Sequence, residues 1–291
     1  MSRAAEKLFY LMAERHGFGP ELFDSKVNVI YPAVDTASIT KKKHSKDGAV
    51  KLLFIGNSFF RKEGRALLRA FKTLSKDFDI ELTIIISNLT LPDFFTQSDD
   101  QDRHAAMKQM ENDKNINWIQ NVLNTEILDY HFPESDIFIM PTLQDSFGFV
   151  NIEAMACGLP VISTRQFAVP EQVIHDETGY LIDLPLDEMG RLNCIGEKDR
   201  LKRKQSVFEV EEWIYEQLVQ FGSDLCGDPL KRRKFGENGK QRVQTLFDVN
   251  VRNNALMQVY GNLHEFDKAL QQQNFNVMAS QEKTGVWENH D

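Results

Sequence analysis

Short apolar runs with polar boundaries recur at even intervals through the middle of the chain. Six of these runs are predicted to be strands, at 50–56, 80–87, 116–121, 136–142, 159–164 and 178–183. Helices are predicted between them from apolar residues at helical spacing, at 63–77, 104–112, 124–132, 147–157 and 169–176. Continuous apolar strands are typical of sheets buried on both faces. Because strands and helices alternate with short connections, the pattern predicts an α/β fold with a parallel sheet covered by helices.

The segments on either side follow different patterns. Residues 3–16 have the spacing of an amphipathic helix, and 27–32 reads as a short strand stopped by Pro32. The polar and basic stretch 184–207 is predicted to be a surface loop. Additional C-terminal helices are predicted at 208–222, 228–246 and 249–270.

Three parts of the chain follow from these patterns. They are an N-terminal helix and linker (1–26), a domain that includes the C-terminal helices (27–270), and a tail without periodicity that we expect to be disordered (271–291).

Composition narrows the functional classes. The formal net charge of -9 argues against broad nucleic-acid binding, which normally requires a basic excess. Cys157, Cys194 and Cys226 are odd in number and widely spaced, which favours a reducing cytoplasm over a disulfide framework. The charged N-terminus resembles neither a signal peptide nor a membrane span, and we expect no transmembrane segment.

Candidate chemistry begins at 145–160, after a predicted buried strand. The helix there is apolar on every side, yet Glu153 lies in its middle. A carboxylate in such a place requires hydrogen-bond donors, and sugar hydroxyls are suitable. Gly148 gives a ligand access to backbone N–H groups at a helix start, where anions are favoured. Alternatively, Asp145 or Ser146 caps this helix and Glu153 pairs with an internal basic group.

A second candidate element follows the strand at 50–56, in the segment GNSFFRKEG (56–64). Arg61 and Lys62 are suited to clamp a diphosphate, although a solvated basic pair is an alternative. Ligands of parallel sheets bind beyond the carboxyl ends of the strands, where both elements fall. Cations and N–H groups opposite a carboxylate fit a nucleoside-diphosphate sugar.

Here the sequence resembles the family 4 (group 1) glycosyltransferases, which are retaining enzymes with the GT-B fold. The segment PTLQDSFGFVNIEAMACGLPV (141–161) resembles their Glu-x7-Glu motif, VIYPAVD (29–35) their interdomain segment, and FIGNSFFRKEG (54–64) their basic loop. The similarity covers about 25–265. It implies that this chain is the C-terminal, Rossmann-like half of the GT-B fold, which binds the donor.

The resemblance also implies roles for single residues. Arg61 and Lys62 would bind the diphosphate and stabilise the leaving group, Asp145 would contact the transferred sugar, and these three would be catalytic. Glu153 would hold the ribose, and the loop after 116–120 would face the base. The donor-binding positions are Gly56, Asn57, Asn121, Val122, Leu123, Phe147, Gly148, Phe149, Val150 and Glu153.

Departures from the family pattern set the alternatives. Asp145 stands where the family has a Glu, and QFAVPEQ (166–172) stands where the family has a Gly-rich turn. Only 26 residues precede Val27, whereas family members carry a whole Rossmann domain with the acceptor site before this segment. We therefore expect an N-terminal Rossmann domain or a partner chain to bind the acceptor, whose identity is unknown. No Asp-x-Asp motif of the metal-using transferases is apparent, so we expect neither a metal nor a cofactor. There are two alternatives. One is a non-catalytic binding or scaffold module, and the other is a different GT-B chemistry, either phosphorolysis or epimerisation.

Overall fold

The computed structural model describes residues 2–24, 27–39, 48–87, 89 and 95–261. The predicted disordered tail at 271–291 lies outside these residues, and so does the end of the helix predicted at 249–270. Helical backbone is present over 249–261.

Six parallel strands form one sheet. In chain order they are β1 (Val50–Gly56), β2 (Ile80–Ile86), β3 (Ile116–Gln120), β4 (Ile137–Met140), β5 (Val161–Thr164) and β6 (Gly179–Ile182). Their order across the sheet is β3-β2-β1-β4-β5-β6, and every neighbouring pair is parallel. The direction of winding therefore reverses between β1 and β4, and such a switch point opens a crevice at the carboxyl edge of the sheet.

Helices cover both faces of the sheet. They are α1 (Arg3–Arg15), α2 (Gly64–Leu74), α3 (Asp100–Asn112), α4 (Asn124–Glu126), α5 (Phe149–Cys157), α6 (Val169–Gln172), α7 (Arg200–Gly227) and α8 (Pro229–Leu246). A single π-helical turn, Ile127–His131, continues α4. None of the helices that the structure describes is both long and apolar enough to cross a membrane. The predicted Rossmann-like α/β fold is confirmed.

The core consists of two apolar layers, one on each face. Leu52 and Phe54 of β1 point into the layer formed with α2, α3 and α7, whereas Leu53 points into the layer formed with α5 and α8. All three side chains are at most 1% exposed. Strands buried on both faces explain why the sequence shows continuous apolar runs instead of alternation.

The strand predicted at 27–32 is wrong. This segment has no regular structure, and only Val34 pairs further along, in an isolated parallel bridge with Asp248. The Val34 N–H donates to the Phe247 carbonyl at 2.9 Å, and Tyr31 contacts the Phe247 ring. The segment packs against the C-terminal end of α8 and not against an edge of the sheet, so it has no strand to pair with.

The surface loop predicted at 184–207 is wrong in its second part. Helix α7 begins at Arg200, because the Asp199 carboxylate accepts hydrogen bonds from the Leu201 and Lys202 N–H groups. Lys204 pairs with Asp99 at 3.2 Å, which gives this basic stretch a partner on α3. Helix α7 then continues without a break to Gly227, past the end predicted at 222.

Two helix starts also differ from the prediction. Helix α3 begins at Asp100, four residues earlier than expected, because Asp99 and Asp102 form a capping box. The Asn or Thr cap expected for the helix at 124 is absent, since the N-cap residue is Leu123 and no side chain caps this end.

Candidate functional site

The loops that follow β1 and β4 lie on either side of the switch point, and they are bonded to each other. The Leu143 N–H donates to the Arg61 carbonyl at 2.9 Å. The Lys62 ammonium forms an ion pair with the Asp145 carboxylate and donates to the Gln144 carbonyl at 3.3 Å. The side chains of Lys62 and Asp145 are 12% and 17% exposed, so this pair is largely shielded from solvent.

The other predicted residues of the β1 loop support this arrangement. A Cβ atom on Gly56 would lie 2.9 Å from Cγ of Lys62, so the missing side chain lets the lysine pass close over the end of β1. The Arg61 guanidinium carbon lies 5.6 Å from the centroid of the Phe95 ring, a cation–π contact. Asn57 accepts a hydrogen bond from the Ser87 hydroxyl at 2.9 Å, which joins the β1 loop to the end of β2.

A cavity of about 610 Å³ opens between these loops. Four of its lining residues belong to the predicted site, namely Asn57, Arg61, Lys62 and Asp145. The others were not predicted, and they are Leu8, Ser58, Gln144, Ser146, Gln166, Phe167, Met189, Gly190 and Arg191. Cations and a carboxylate from distant parts of the chain thus share one cavity of the size that small-molecule ligands occupy.

Helix α5 starts beside this cavity without a side-chain cap. Its N-cap residue is Gly148, with φ at 84°, and no side chain forms a capping hydrogen bond at this end. The alternative in which Asp145 or Ser146 caps α5 is therefore wrong, since Asp145 pairs with Lys62 and accepts from the Phe147 N–H at 3.3 Å. The first N–H groups of a helix lack partners within it, and they favour an anion.

Three buried amide side chains that sequence reasoning missed hold the turn before α5. Gln166 accepts from the Asp145 N–H at 3.0 Å. Asn151 donates to Gln172 at 3.1 Å, and Gln172 in turn donates to the Phe147 carbonyl. These side chains are at most 4% exposed. Buried amides must be hydrogen-bonded, so this network fixes the backbone of 145–148.

The remaining predicted residues around α5 do not line the cavity. Phe147 is 7% exposed and its ring contacts Phe149 and Phe247, whereas Phe149 is 50% exposed and Val150 is half-buried. None of these three side chains therefore belongs to the cavity lining.

Glu153 and the loop after β3 form a second group of predicted residues. Burial raises the pKa of the Glu153 carboxyl, while a hydrogen bond from Asn124 lowers it by a smaller amount. The partner of Glu153 is therefore the side chain of Asn124, next to the predicted base-facing loop, and not an internal basic group. In that loop Leu123 is 71% exposed and Val122 is half-buried. The structure thus separates the predicted site into two groups.

Backbone strain is concentrated at the same edge of the sheet. Five described residues other than glycine have a positive φ. Four of them, Glu63, Gln97, Asn121 and Phe167, at 52°, 59°, 57° and 47°, lie in the loops that follow β1, β2, β3 and β5, whereas Asp176, at 62°, precedes β6. Side chains disfavour this left-handed region, and strain of this kind clusters at functional sites. Phe167 falls in the segment QFAVPEQ, where the resembled family has a Gly-rich turn.

Helix α1 lies across one wall of the cavity. Leu8 is among the lining residues. The N–H groups of Arg3 and Ala4 donate to the Glu171 carboxylate at 2.9 and 2.7 Å, and Arg15 pairs with Glu188. The two ends of α1 are therefore bonded to α6 and to the loop after β6.

Other chemistry is limited in the part of the chain that the structure describes. No group of three or more His, Cys, Asp or Glu side chains is placed to hold a metal ion there. The three cysteines are free thiols. Burial raises the pKa of Cys157 to about 12 and that of Cys226 to about 11, so neither is a nucleophile at neutral pH.

Known proteins are similar in sequence to part of this chain. The D-inositol 3-phosphate glycosyltransferase of Pseudarthrobacter chlorophenolicus is 28% identical over 169 residues, which are 54% of this chain and 38% of that protein. The alpha-maltose-1-phosphate synthase of Mycobacterium tuberculosis is 23% identical over 234 residues, 77% of this chain and 53% of that protein. The chain thus spans about half or less of the length of these relatives.

Solved structures show the same fold. Sucrose-phosphate synthase from Thermosynechococcus elongatus superposes with a TM-score of 0.59 at 20% identity, over 84% of this chain and 55% of that one. The C-terminal domain of the group 1 glycosyl transferase LpcC from Francisella tularensis gives 0.54 at 22% identity, over 74% of this chain and 99% of that domain. These neighbours are of the GT-B type, and this chain corresponds to one of its Rossmann-like halves.

The family itself is identified from the sequence match. Residues 35–189 match the family described as Glycosyl transferases group 1. The matched range includes both loops of the switch point and the whole of α5, and it makes up more than half of the 291 residues. The chain therefore belongs to the group 1 glycosyltransferase family.

Proposed function

We propose that this chain is the donor-binding half of a retaining glycosyltransferase of family 4, which transfers a hexosyl group from a nucleoside-diphosphate sugar. The observation that carries the proposal is the Lys62–Asp145 ion pair at the switch point, beside the uncapped start of α5. Group 1 glycosyltransferases use nucleotide-sugar donors, and this arrangement presents the charges that such a donor requires.

The ion pair suggests how the donor is held. A diphosphate between the two loops would compete with Asp145 for the Lys62 ammonium, and it would also meet Arg61 and the first N–H groups of α5. Asp145 would then be free to accept a hydrogen bond from a sugar hydroxyl. Negative charge develops on the diphosphate as the sugar leaves, and fixed cations in a shielded cavity stabilise that charge.

The nucleoside is assigned to the second group of residues. Glu153 has a half-buried carboxylate with an elevated pKa, and hydroxyls of a ribose would supply the donors that it lacks beyond Asn124. The base would lie against the backbone of 121–123. With the diphosphate at Arg61 and Lys62 and the sugar at Asp145, this division would follow the chemical order of a nucleotide sugar.

Further properties are part of the same proposal. Transfer would proceed without a metal or another cofactor, because Arg61 and Lys62 supply the positive charge. The acceptor would be bound by an N-terminal Rossmann domain or by a partner chain, and the protein would act in the cytoplasm. The metal-free transfer and the acceptor-binding half rest on the family resemblance and on the charged groups at the switch point, whereas the cytoplasmic location rests on the three widely spaced cysteines.

Calorimetric titration with UDP-, GDP- and ADP-sugars tests the donor site. We expect one class of donor to bind, and we expect Lys62→Met to weaken it by about tenfold to a hundredfold, because a charge-assisted hydrogen bond contributes about 1.5–3 kcal/mol. Lys72→Met is the matched control, since Lys72 is an exposed lysine at the other end of α2. Equal affinities of the two variants would contradict the assignment of Lys62.

Turnover separates catalysis from binding alone. With an N-terminal half supplied in cis or in trans, the proposal expects transfer with retained anomeric configuration, measured by NMR of the product, and no loss of rate with a chelator. Donor binding without any hydrolysis or transfer would instead favour a non-catalytic nucleotide-sugar module. A rate abolished by chelator and restored by manganese would refute the metal-independent mechanism.

A further inference from the structure

A second cavity, of about 690 Å³, lies between the loop that follows β6 and the first half of α7. Helix α7 contributes Ser206, Glu209, Val210 and Trp213, which recur at helical spacing and so share one face. Leu184 and Pro185 form the apolar side of the opposite wall. Nothing in the proposed donor site uses these residues.

An indole ring forms a fixed platform in this cavity. The Trp213 side chain is 44% exposed, although large aromatic side chains on a helix of this kind normally pack inward. Its ring N–H donates to the Asp183 carbonyl at 2.9 Å, which holds one edge of the ring against the β6 loop. A rigid, half-exposed aromatic face can bury the apolar C–H face of a sugar ring at a small cost in conformational entropy.

The polar groups around the platform suit a neutral ligand rich in hydroxyls. No lysine or arginine is found among the described lining residues, and three carboxylates are, so a nucleotide or another anion would be repelled. Asp183 is neutralised by Arg165, whose Nε lies 2.6 Å away, and Glu197 accepts from the Asp199 N–H at 2.8 Å. Glu197 and Glu209 accept hydrogen bonds from neutral groups, so an organic cation is the competing ligand that the test must exclude. Carboxylate and amide oxygens are good acceptors for hydroxyl groups.

The location relates this cavity to the donor site. The loop between β6 and α7 lines both cavities, with Met189, Gly190 and Arg191 on the donor side and Asn193 and Cys194 on this side. Both open at the carboxyl edge of the sheet. We propose that the Trp213 cavity is a binding site for a neutral oligosaccharide, which holds a glycan chain beside the donor site. The inference does not depend on donor binding.

The chain has three tryptophans, and the NMR signal of each indole N–H reports on ligand binding near that ring. In a two-dimensional NMR spectrum of the full chain, Trp213→Phe and Trp118→Phe assign the indole N–H signals. We expect maltotriose, cellotriose or tri-N-acetylchitotriose to shift the Trp213 signal, while the Trp118 signal, from β3 at the far end of the sheet, stays in place. Failure of all three sugars to move the Trp213 signal at high millimolar concentration would overturn the proposal.

Variants test the platform against its surroundings. We expect Trp213→Ala to weaken oligosaccharide binding by about tenfold, or about 1.4 kcal/mol. Phe208→Ala is the control, because Phe208 is a 53% exposed aromatic residue on the same helix and is not among the lining residues. Glu209→Ala, at an exposed position of the rim, is expected to weaken binding without affecting folding.

Two further measurements distinguish the oligosaccharide site from the donor site and from a cation site. Nucleotide-sugar affinity of Trp213→Ala is expected to equal that of the unchanged chain, so a failed donor site and a failed glycan site give different results. Tetramethylammonium, an organic cation that stacks on indole rings, is the competing probe. A shift of the Trp213 signal by the cation and by none of the sugars would show a cation site and refute the proposal.

Discussion

Glu153 shows at the residue scale how a candidate site can be recognised from a single side chain. Its carboxylate is half-buried and bonded to Asn124, in a helix whose other residues, apart from Asn151, are apolar. Burial of a carboxylate disfavours the charged form, and its pKa rises. The sequence reveals this conflict without any structure, because one acidic letter interrupts a run of apolar ones. The partner, Asn124, lies 29 positions away and becomes visible only in the fold.

The elevated pKa makes the free energy of unfolding depend on pH. The folded chain holds the Glu153 proton more tightly than the unfolded chain, so stability falls as the pH rises from the ordinary carboxyl value through the elevated folded value. We expect Glu153→Gln to be more stable than the unchanged chain at neutral pH, with the difference vanishing at acidic pH. Denaturant unfolding measured over a series of pH values provides the test.

The same substitution separates function from stability. Glu153→Gln is expected to bind the nucleotide sugar more weakly even though it is more stable, because an amide is a poorer acceptor for ribose hydroxyls than a carboxylate. Glu111→Gln, at an exposed position of α3, is the control and is expected to change neither quantity. A Glu153→Gln variant with lower stability at neutral pH would show that the carboxylate is a structural group.

At the scale of elements, the packing of α8 on α5 holds the helix that carries Glu153. The two helices approach most closely where Gly236 of α8 meets Gly158, the C-cap residue of α5 with φ at 90°. A Cβ atom on Gly236 would lie 2.0 Å from the Gly158 carbonyl oxygen, which is backbone and cannot turn aside. One turn further along, a Cβ atom on Gly239 would lie 3.5 Å from Met155, an ordinary contact.

These two glycines give opposite predictions on one helix. We expect Gly236→Ala to lower the free energy of unfolding by about 1–3 kcal/mol, because the helices must move apart. Gly239→Ala is expected to be neutral or to stabilise by up to about 1 kcal/mol, since alanine favours helix more than glycine does. Thermal or denaturant unfolding of both variants measures the difference. Equal losses would mean that α5 and α8 do not touch at Gly158.

The pattern of apolar and polar residues predicted a strand or helix correctly wherever burial repeats among neighbouring residues. All six central strands occur within the predicted ranges, because each is an apolar run that must be covered on both faces. The pattern failed where an element depends on distant partners. The first turns of α7 read as a loop because 198–204 is basic, yet Asp199 caps them and Asp99 pairs with Lys204. The segment 27–32 has β-type composition but no free strand edge beside it.

At the scale of the whole molecule, α1 is held over the cavity between the β1 and β4 loops by contacts at its two ends. The Glu171 carboxylate accepts from the first N–H groups of α1 and also bonds to the Tyr31 hydroxyl. Arg15 pairs with Glu188 at the other end, between side chains that are more than half exposed, and such pairs contribute little. The N-terminal contact is therefore the stronger of the two.

Removal of that contact is expected to loosen α1 without unfolding the sheet. Glu171→Ala should cost about 0.5–2 kcal/mol of local stability, the usual effect of losing a helix cap, and should raise amide hydrogen exchange over 3–15. Exchange measured by mass spectrometry would show this, with Glu177→Ala, a nearby exposed carboxylate, as the control. Unchanged exchange in α1 would mean that Glu171 does not hold the helix.

The division between local and global information is clear in this protein. Burial and helical spacing are properties of neighbouring residues, so the alternation of strands and helices, the parallel α/β class and the odd carboxylate at Glu153 could all be derived from the chain alone. Strand order could not, because a crossover of given length can place the next strand on either side of the sheet. Only the folded chain places β4 beside β1, pairs Lys62 with Asp145, and brings Leu8, Gln166 and Met189 to one cavity. These residues are far apart in sequence, and no local periodicity relates them.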